Sequence, residues 1–400
     1  MRKDVRERKD LRGLVARIEA ATPPGRDRAV DALRALAILG VVGGHWLVTA
    51  LVADSGTVRG ASPLTYLPEL TPVSWVFQTL AVFFLVGGQV AAGSWASARK
   101  RGVPYGPWVG GRLARLFRPV AAVLMVWTLA AAVMLMAGVG EPTVRALAKL
   151  VWSPLWFLLV FAALTALTPL VARLHPLWPL VVVLHVDLVR FGLGGPPELG
   201  WINVVAGWLV PYCLGALVAR GGLRGRWNRW VLLFGGGSAA VALVLWAGYP
   251  ASMVGVPGGR ISNLDPPSLA AVAFGLAQCG AALLLLGPLR RALRRPAAWA
   301  VVAVVNLSAM TVFLWHQTAM IVVTTSALLI ADGPLPGLHT VPDGAGWVVA
   351  RVLWVPVFAL ALLVCWAAFR GYEQGGRRGG GGSLVVRASA PERKGHARRA

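Results

Sequence analysis

Two polar side chains stand inside the first long apolar run, RDRAVDALRALAILGVVGGHWLVTALVA at residues 26–53: Arg34 and His45. On a helix, eleven residues span about 16 Å and return to nearly the same face. An imidazole exchanges protons near neutrality, so it suits removal of a proton from a hydroxyl. A guanidinium suits the holding of a charged donor. An Arg near a helix centre costs roughly 2.5–3.5 kcal/mol on insertion scales, so such groups usually face a cavity or a partner. Arg34 lies about one turn in; it can snorkel to the headgroups or pair with Asp31 at i−3. His45 is deeper, beside Gly43 and Gly44, which let another backbone or a ligand come close. Alone, either residue has a structural explanation. Together on one face, they point to a site.

The elements that position this pair follow from composition. Of 400 residues, 57% are hydrophobic and 14% charged, far from the roughly one-quarter charged content of a soluble domain. Apolar runs near twenty residues recur along the chain, giving an all-α polytopic membrane protein. Ten spans are expected, at 29–53, 72–97, 119–139, 152–173, 176–190, 200–219, 229–248, 267–288, 299–331 and 346–369. The fifth is short; the ninth is too long for one upright helix, so it tilts or begins as an interfacial turn. With alternating sides, 32 of the 39 Lys and Arg fall on one side and four on the other. That asymmetry places both termini in the cytoplasm. It also accounts for most of the net charge of +23, so nucleic acid is not an expected partner. Cys213, Cys279 and Cys365 lie in apolar spans without CxxC spacing, so neither a disulfide framework nor a metal site is expected. The expected domains are a basic cytoplasmic tail (1–28) containing a short amphipathic helix, a transmembrane domain (29–370), and a Gly-rich, basic, disordered tail (371–400).

The run DALRALAILGVVGGHW resembles the first helix of the membrane acyltransferase-3 family, whose hallmark is an Arg and a His separated by ten residues. Ala35 stands where the family usually has Gly. VFFLVGGQVAAGSW (82–95) is similar to the family's Phe-Phe followed by two small residues; Gly87-Gly88 replaces a frequent Ser-Gly, so any role of that hydroxyl is absent. RLARLFRP (112–119) matches the basic segment before the third helix. SPLWFLLVFAALTALTPL, INVVAGWLVPYCLGAL and NLSAMTVFLWHQTAM extend the likeness over essentially all ten spans, less specifically.

The resemblance implies transfer of an acyl group, commonly acetyl, from acyl-CoA to a hydroxyl of a sugar, a glycoconjugate or a small metabolite. No cofactor is expected to stay bound; acyl-CoA is a co-substrate. His45 is then the expected general base and Arg34 the second catalytic residue. Both direct attack and an acyl-histidine intermediate remain open. Arg112, Arg115 and Arg118, three apart, form one stripe if helical and are the candidates for the CoA phosphates. His316, Ser308, Thr311, Trp315, Phe83 and Phe84 are candidates for an acceptor site or pocket, and Asn203, Trp208 and Tyr212 a further set. Asp187 and Arg190 read as a structural ion pair; His175 and His185 read as packing or interfacial residues. The Pro–Gly loop 249–268 is expected to cover the outer mouth.

The expected partners are the bilayer, the donor and a hydroxyl-bearing acceptor, with a homodimer left open; the expected location is the bacterial plasma membrane, in the cell envelope. The rival function is a secondary transporter or exporter of a polar small molecule. Against it, no inverted repeat is detectable, and carboxylates within the spans are essentially Asp31 and Asp187.

Overall fold

The computed structural model describes residues 2–54, 56–255 and 262–374. Helices dominate: α1 (Arg2–Ala20), α2 (Arg28–Val48), α3 (Leu80–Lys100), α4 (Tyr105–Met136), α5 (Glu141–Trp152), α6 (Trp156–Ala166), α7 (Leu177–Asp187), α8 (Ile202–Ala219), α9 (Arg226–Trp246), α10 (Leu269–Ala292), α11 (Pro296–Leu307), α12 (Ala309–Ile330) and α13 (Ala345–Gln374). A two-stranded antiparallel hairpin, β1 (Ala50–Asp54) and β2 (Thr57–Ala61), pairs Ala50 with Ala61.

Nine helices among the described residues are long and apolar enough to cross a membrane. The remaining expected crossing, the fifth, is shorter, α7 continued by a π turn at Leu188–Gly192. Its ends are fixed at opposite ends of the bundle. Arg220, after α8, donates to the Ala172 carbonyl, while Asp187 accepts from the Leu269 N–H at the start of α10. The segment therefore traverses the bundle within about 24 Å, less than the usual ~30 Å of hydrocarbon.

Several expected boundaries move. The first span ends at Val48 rather than 53, because Thr49 turns extended and the hairpin begins. The third helix starts at Tyr105 rather than 119, so the Arg112–Arg118 stripe lies on its first turns. The fourth runs from Glu141 to Ala166 through a 3-10 turn at Ser153–Leu155, earlier than 152–173. The long ninth segment breaks at Ser308 into α11 and α12. Asn306 donates to the Asp31 carbonyl at 2.5 Å, and Ser308 accepts from the Trp366 indole at 2.5 Å, so side chains serve both neighbours of the break. In the C-terminal segment read as a disordered tail, α13 continues to Gln374; residues 375–400 lie outside the described residues, as do 256–261 of the Pro–Gly loop.

Lipid is as apolar as Leu, so the helices must be held by close packing and hydrogen bonds rather than by hydrophobic exclusion from water. Two helix pairs, the parallel α3–α8 and the antiparallel α9–α10, do this with glycine on both sides. A Cβ at Gly88 (α3) would strike the Tyr212 carbonyl, and one at Gly215 (α8) the Leu85 carbonyl. At the α9–α10 contact, a Cβ at Gly236 would sit 2.6 Å from the Ala273 oxygen and one at Gly280 2.5 Å from the Leu233 nitrogen. The second pair holds α9 even though its other faces expose Phe234, Val241 and Leu245.

The basic end is tied together by ion pairs. Asp27 caps the first N–H groups of α2 and pairs with Arg290 at 2.6 Å; Arg28 pairs with Glu19 at 2.6 Å and donates to the Leu293 carbonyl. Burial raises the Asp27 carboxyl, but the Arg290 guanidinium and the α2 N–H groups outweigh it and hold Asp27 below the ordinary carboxylate value. At the opposite end, buried Asp187 accepts from Asn203 at 2.9 Å, Tyr249 at 3.0 Å and the Leu269 N–H at 2.6 Å, with Arg190 3.6 Å away. The Asp187–Arg190 pair thus sits inside a hydrogen-bonded knot joining α7, α8 and α10.

Candidate active site

α2 is an Ala- and Gly-rich helix whose small residues let neighbours come close. Phe77 lies against Gly43 and Gly44, and Thr79 donates to the Ala37 carbonyl at 2.6 Å. Across from this contact, α12 brings His316 to His45: Nε2 of His316 stands 3.1 Å from Nδ1 of His45, with ring centroids 5.0 Å apart. His316 is 1% exposed.

Hydrogen positions in this pair follow from the partners. His316 Nδ1 faces the Phe313 carbonyl at 2.5 Å; a carbonyl only accepts, so Nδ1 carries the proton. In the neutral ring, Nε2 of His316 is then an acceptor, and His45 Nδ1–H donates to it. The Val41 carbonyl one turn back is a second acceptor for the His45 ring. This tautomer leaves the His45 Nε2 lone pair available as a base.

His45 borders a cavity of about 680 Å³, together with Val41, Gly44, Phe157 and Phe313 from the helices. Thr49, Ser62, Ser74, Gln78 and Ser153 add polar groups, and the exposed Lys149 and Asp265 stand among the lining residues. Val254, Gly255, Ser262 and Leu264 bring the Pro–Gly loop to this cavity, at the end away from the arginine clusters.

Arg351 from α13, 1% exposed, fixes the end of α2 that carries His45. Its Nε donates to the Trp46 carbonyl at 2.6 Å, Nη2 to the Thr49 carbonyl at 2.5 Å, and Nη1 to the Gly337 carbonyl at 2.9 Å. These include C-terminal carbonyls of a helix, where a cation is favoured. Phe358 and Trp347 cover the guanidinium at 4.7 and 5.6 Å. Trp46 in turn donates its indole N–H to the His316 carbonyl at 2.9 Å. One network therefore sets the distance between α2 and α12 at the histidine pair. His339, by contrast, has both ring nitrogens engaged, accepting from Leu335 N–H and donating to the Thr324 carbonyl. It is structural.

The other sequence candidates separate into groups. Of the structural explanations open to Arg34, pairing with Asp31 is not the one found, because Arg26 from the preceding loop takes that carboxylate at 2.5 Å. Arg34 forms no direct ion pair among the described residues and lies within electrostatic reach of Arg112. Of the stripe, Arg112 is half-buried over the Trp108 ring at 5.2 Å, while Arg115 and Arg118 are exposed. Phe84 is fully buried and stacks on Trp208 at 5.1 Å; Phe83 packs on Phe157 and Phe161. Phe157 meets Phe313 edge to face at 4.7 Å, so this aromatic cluster reaches the histidine pair. Tyr212 bonds to Thr168 at 2.9 Å. Ser308 and Trp315 face α13, the latter stacked on Phe369 at 3.7 Å. Ser308, Thr311, Trp315, His316, Phe83 and Phe84 are not among the residues lining the His45 cavity, and neither is Arg34.

The acyltransferase-domain family (Acyl_transf_3) matches residues 27–370, which include every residue of the site above. The chain belongs to the acyltransferase-3 family. It is an enzyme of acyl transfer built as a multi-pass membrane protein, and the transporter alternative is not favoured. No curated protein and no solved structure matches the chain. In this acyltransferase, His316, an acceptor-pocket candidate from sequence, is the hydrogen-bond partner of His45, a contact whose only signal in the sequence is a second His inside an apolar helix. Arg351 was visible as a lone Arg within a span, a residue type that in a bilayer signals a specific partner.

Proposed function

We propose that the enzyme moves an acetyl group from acetyl-CoA to a hydroxyl of a sugar, glycoconjugate or small metabolite, with His45 as general base. The observation that carries this reading is His45 on the wall of a polar-lined cavity, hydrogen-bonded to the buried His316. Acyl-CoA reaches the site from the basic, cytoplasmic end of a bacterial plasma-membrane protein, where Arg34 and Arg112 are the leading candidates for its phosphates and Arg115 and Arg118 the outer ones. The acceptor occupies the cavity at the other end.

His45 Nε2 takes the proton as the acceptor oxygen attacks the thioester carbonyl. Donation of Nδ1–H to His316 orients the ring and spreads the positive charge that forms on it. Collapse of the tetrahedral intermediate breaks the carbon–sulfur bond. The imidazolium returns its proton to the departing thiolate, leaving an ester and free CoA. Neutral hydroxyl and carboxamide groups around the cavity suit a polyhydroxylated acceptor.

The test uses purified enzyme in sealed proteoliposomes with acetyl-labelled acetyl-CoA on one side and a host-derived mixture of hydroxyl acceptors on the other. Label in an ester product recovered from the acceptor side is the expected result. Label found only when donor and acceptor share one side overturns the two-ended arrangement, and no labelled product in either format overturns the reaction.

A further inference from the structure

Gln78 occupies a position in the cavity that the reaction as described does not use. Three bonds fix it. Its backbone N–H donates to the Trp75 carbonyl at 3.2 Å, its carbonyl accepts from the Gln278 side chain, and its Oε1 accepts from the Leu80 N–H at 3.2 Å. Because Leu80 N–H can only donate, the carboxamide cannot be turned round, and Nε2 is the end left over. That Nε2 is buried and has no hydrogen-bond partner among the described residues.

Gln78 is 8% exposed and lines the same cavity as His45. Its neighbours are seated against α2, Phe77 at Gly44 and Thr79 at the Ala37 carbonyl, so this stretch of chain lies beside the helix that bears His45. A buried N–H without a partner costs about 1–3 kcal/mol, a cost that an oxygen of a bound substrate removes. α3 begins at Leu80, itself a lining residue, so the positive end of its dipole adds attraction for an oxygen at this wall.

We propose that Gln78 is an acceptor-specificity residue: its carboxamide N–H donates to a second oxygen of a polyhydroxylated acceptor while another hydroxyl of that molecule faces His45. The proposal rests on the acyl-transfer reading above. A site that hydrogen-bonds a substrate oxygen discriminates strongly against a substrate lacking it, since the donor is then left unpaired. An acceptor with a single hydroxyl gains nothing from Gln78.

The experiment measures kcat/KM for CoA release from acetyl-CoA with methyl α-D-glucopyranoside and with 1-propanol, for the wild type, Gln78→Glu and Gln78→Met. Glu keeps an oxygen for the Leu80 N–H and removes the donor; Met is a neutral second variant should the charge prevent folding. The wild type is expected to prefer the glycoside, and the preference ratio to fall about tenfold or more in both variants. A ratio unchanged in the variants overturns the proposal, including the case where both rates fall alike, which marks a merely structural residue. Release stimulated by the host-derived mixture but by neither compound overturns the proposal alone; release that neither these compounds nor that mixture stimulates removes the acyl-transfer reading, and the proposal with it.

Discussion

Nε2 of His316 and Nδ1 of His45 lie 3.1 Å apart across two helices that are distant in sequence, and the Phe313 carbonyl 2.5 Å from the far nitrogen of His316 sets the direction of the hydrogen bond between them. The proposed roles of base and orienting partner require that this direction be kept. A Gln at 316 still offers an oxygen to His45 Nδ1–H, whereas a Leu offers nothing. His316→Leu is therefore expected to lower kcat by about 10²-fold or more with little change in the acyl-CoA KM, and His316→Gln by less. Steady-state CoA release at saturating donor checks the order.

Arg351 supports the same helix end from the other side. Replacing it with Gln leaves the carbonyls of Trp46, Thr49 and Gly337 short of donors inside the protein. A loss of about 2–4 kcal/mol is expected. Arg351→Lys recovers only part of it, because one ammonium cannot reproduce the forked geometry. Thermal unfolding of the three proteins in one detergent gives the order wild type, Lys, Gln.

The α3–α8 contact leaves no room for a side chain at Gly88 or Gly215. Alanine at either is expected to cost about 1–3 kcal/mol, because the obstructing atoms are backbone carbonyls that cannot turn aside. Gly87→Ser, which introduces a hydroxyl frequent among relatives, meets the Phe161 ring and displaces the aromatic cluster near the histidines. Unfolding measurements report both effects.

Asp27 titrates at the basic end, with its carboxyl held below the ordinary value chiefly by Arg290, against the effect of burial. The stabilisation it gives is present above the unfolded carboxylate pKa of about 4 and is lost as pH falls through the lower folded value. Asp27→Asn keeps a helix cap but loses the ion pair. Its deficit in melting temperature is expected to be constant above about pH 5 and to vanish toward the acid limit, which a pH series of melting curves checks.

Much of the fold was legible because a bilayer demands helices of fixed length and the charge distribution separates their ends. The deviations have local causes. The first span loses its end to a hairpin whose residues, ALVAD, are as apolar as helix. The ninth breaks where Asn306 and Ser308 trade helical continuity for bonds to α2 and α13. Arg34 and His45 stand out as a pair on one helix, a relationship that spacing can express. The partnership of His45 with His316, 271 positions away, and the grip of Arg351 on α2 depend on which helices become neighbours, and no periodicity encodes that. The Arg34–Asp31 pair failed for a related reason: the i,i+3 rule omits the loop residue Arg26, which reaches the carboxylate first.

The central claim is that His45 removes the acceptor proton, and release of free CoA thiol from acetyl-CoA by purified wild type and His45→Ala, with host hydroxyl acceptors present, tests it most directly. Acceptor-stimulated release by the wild type that falls by at least about 10²-fold in the variant, with the variant still folded by its melting curve, is the expected result. Equal release by the two proteins would contradict it.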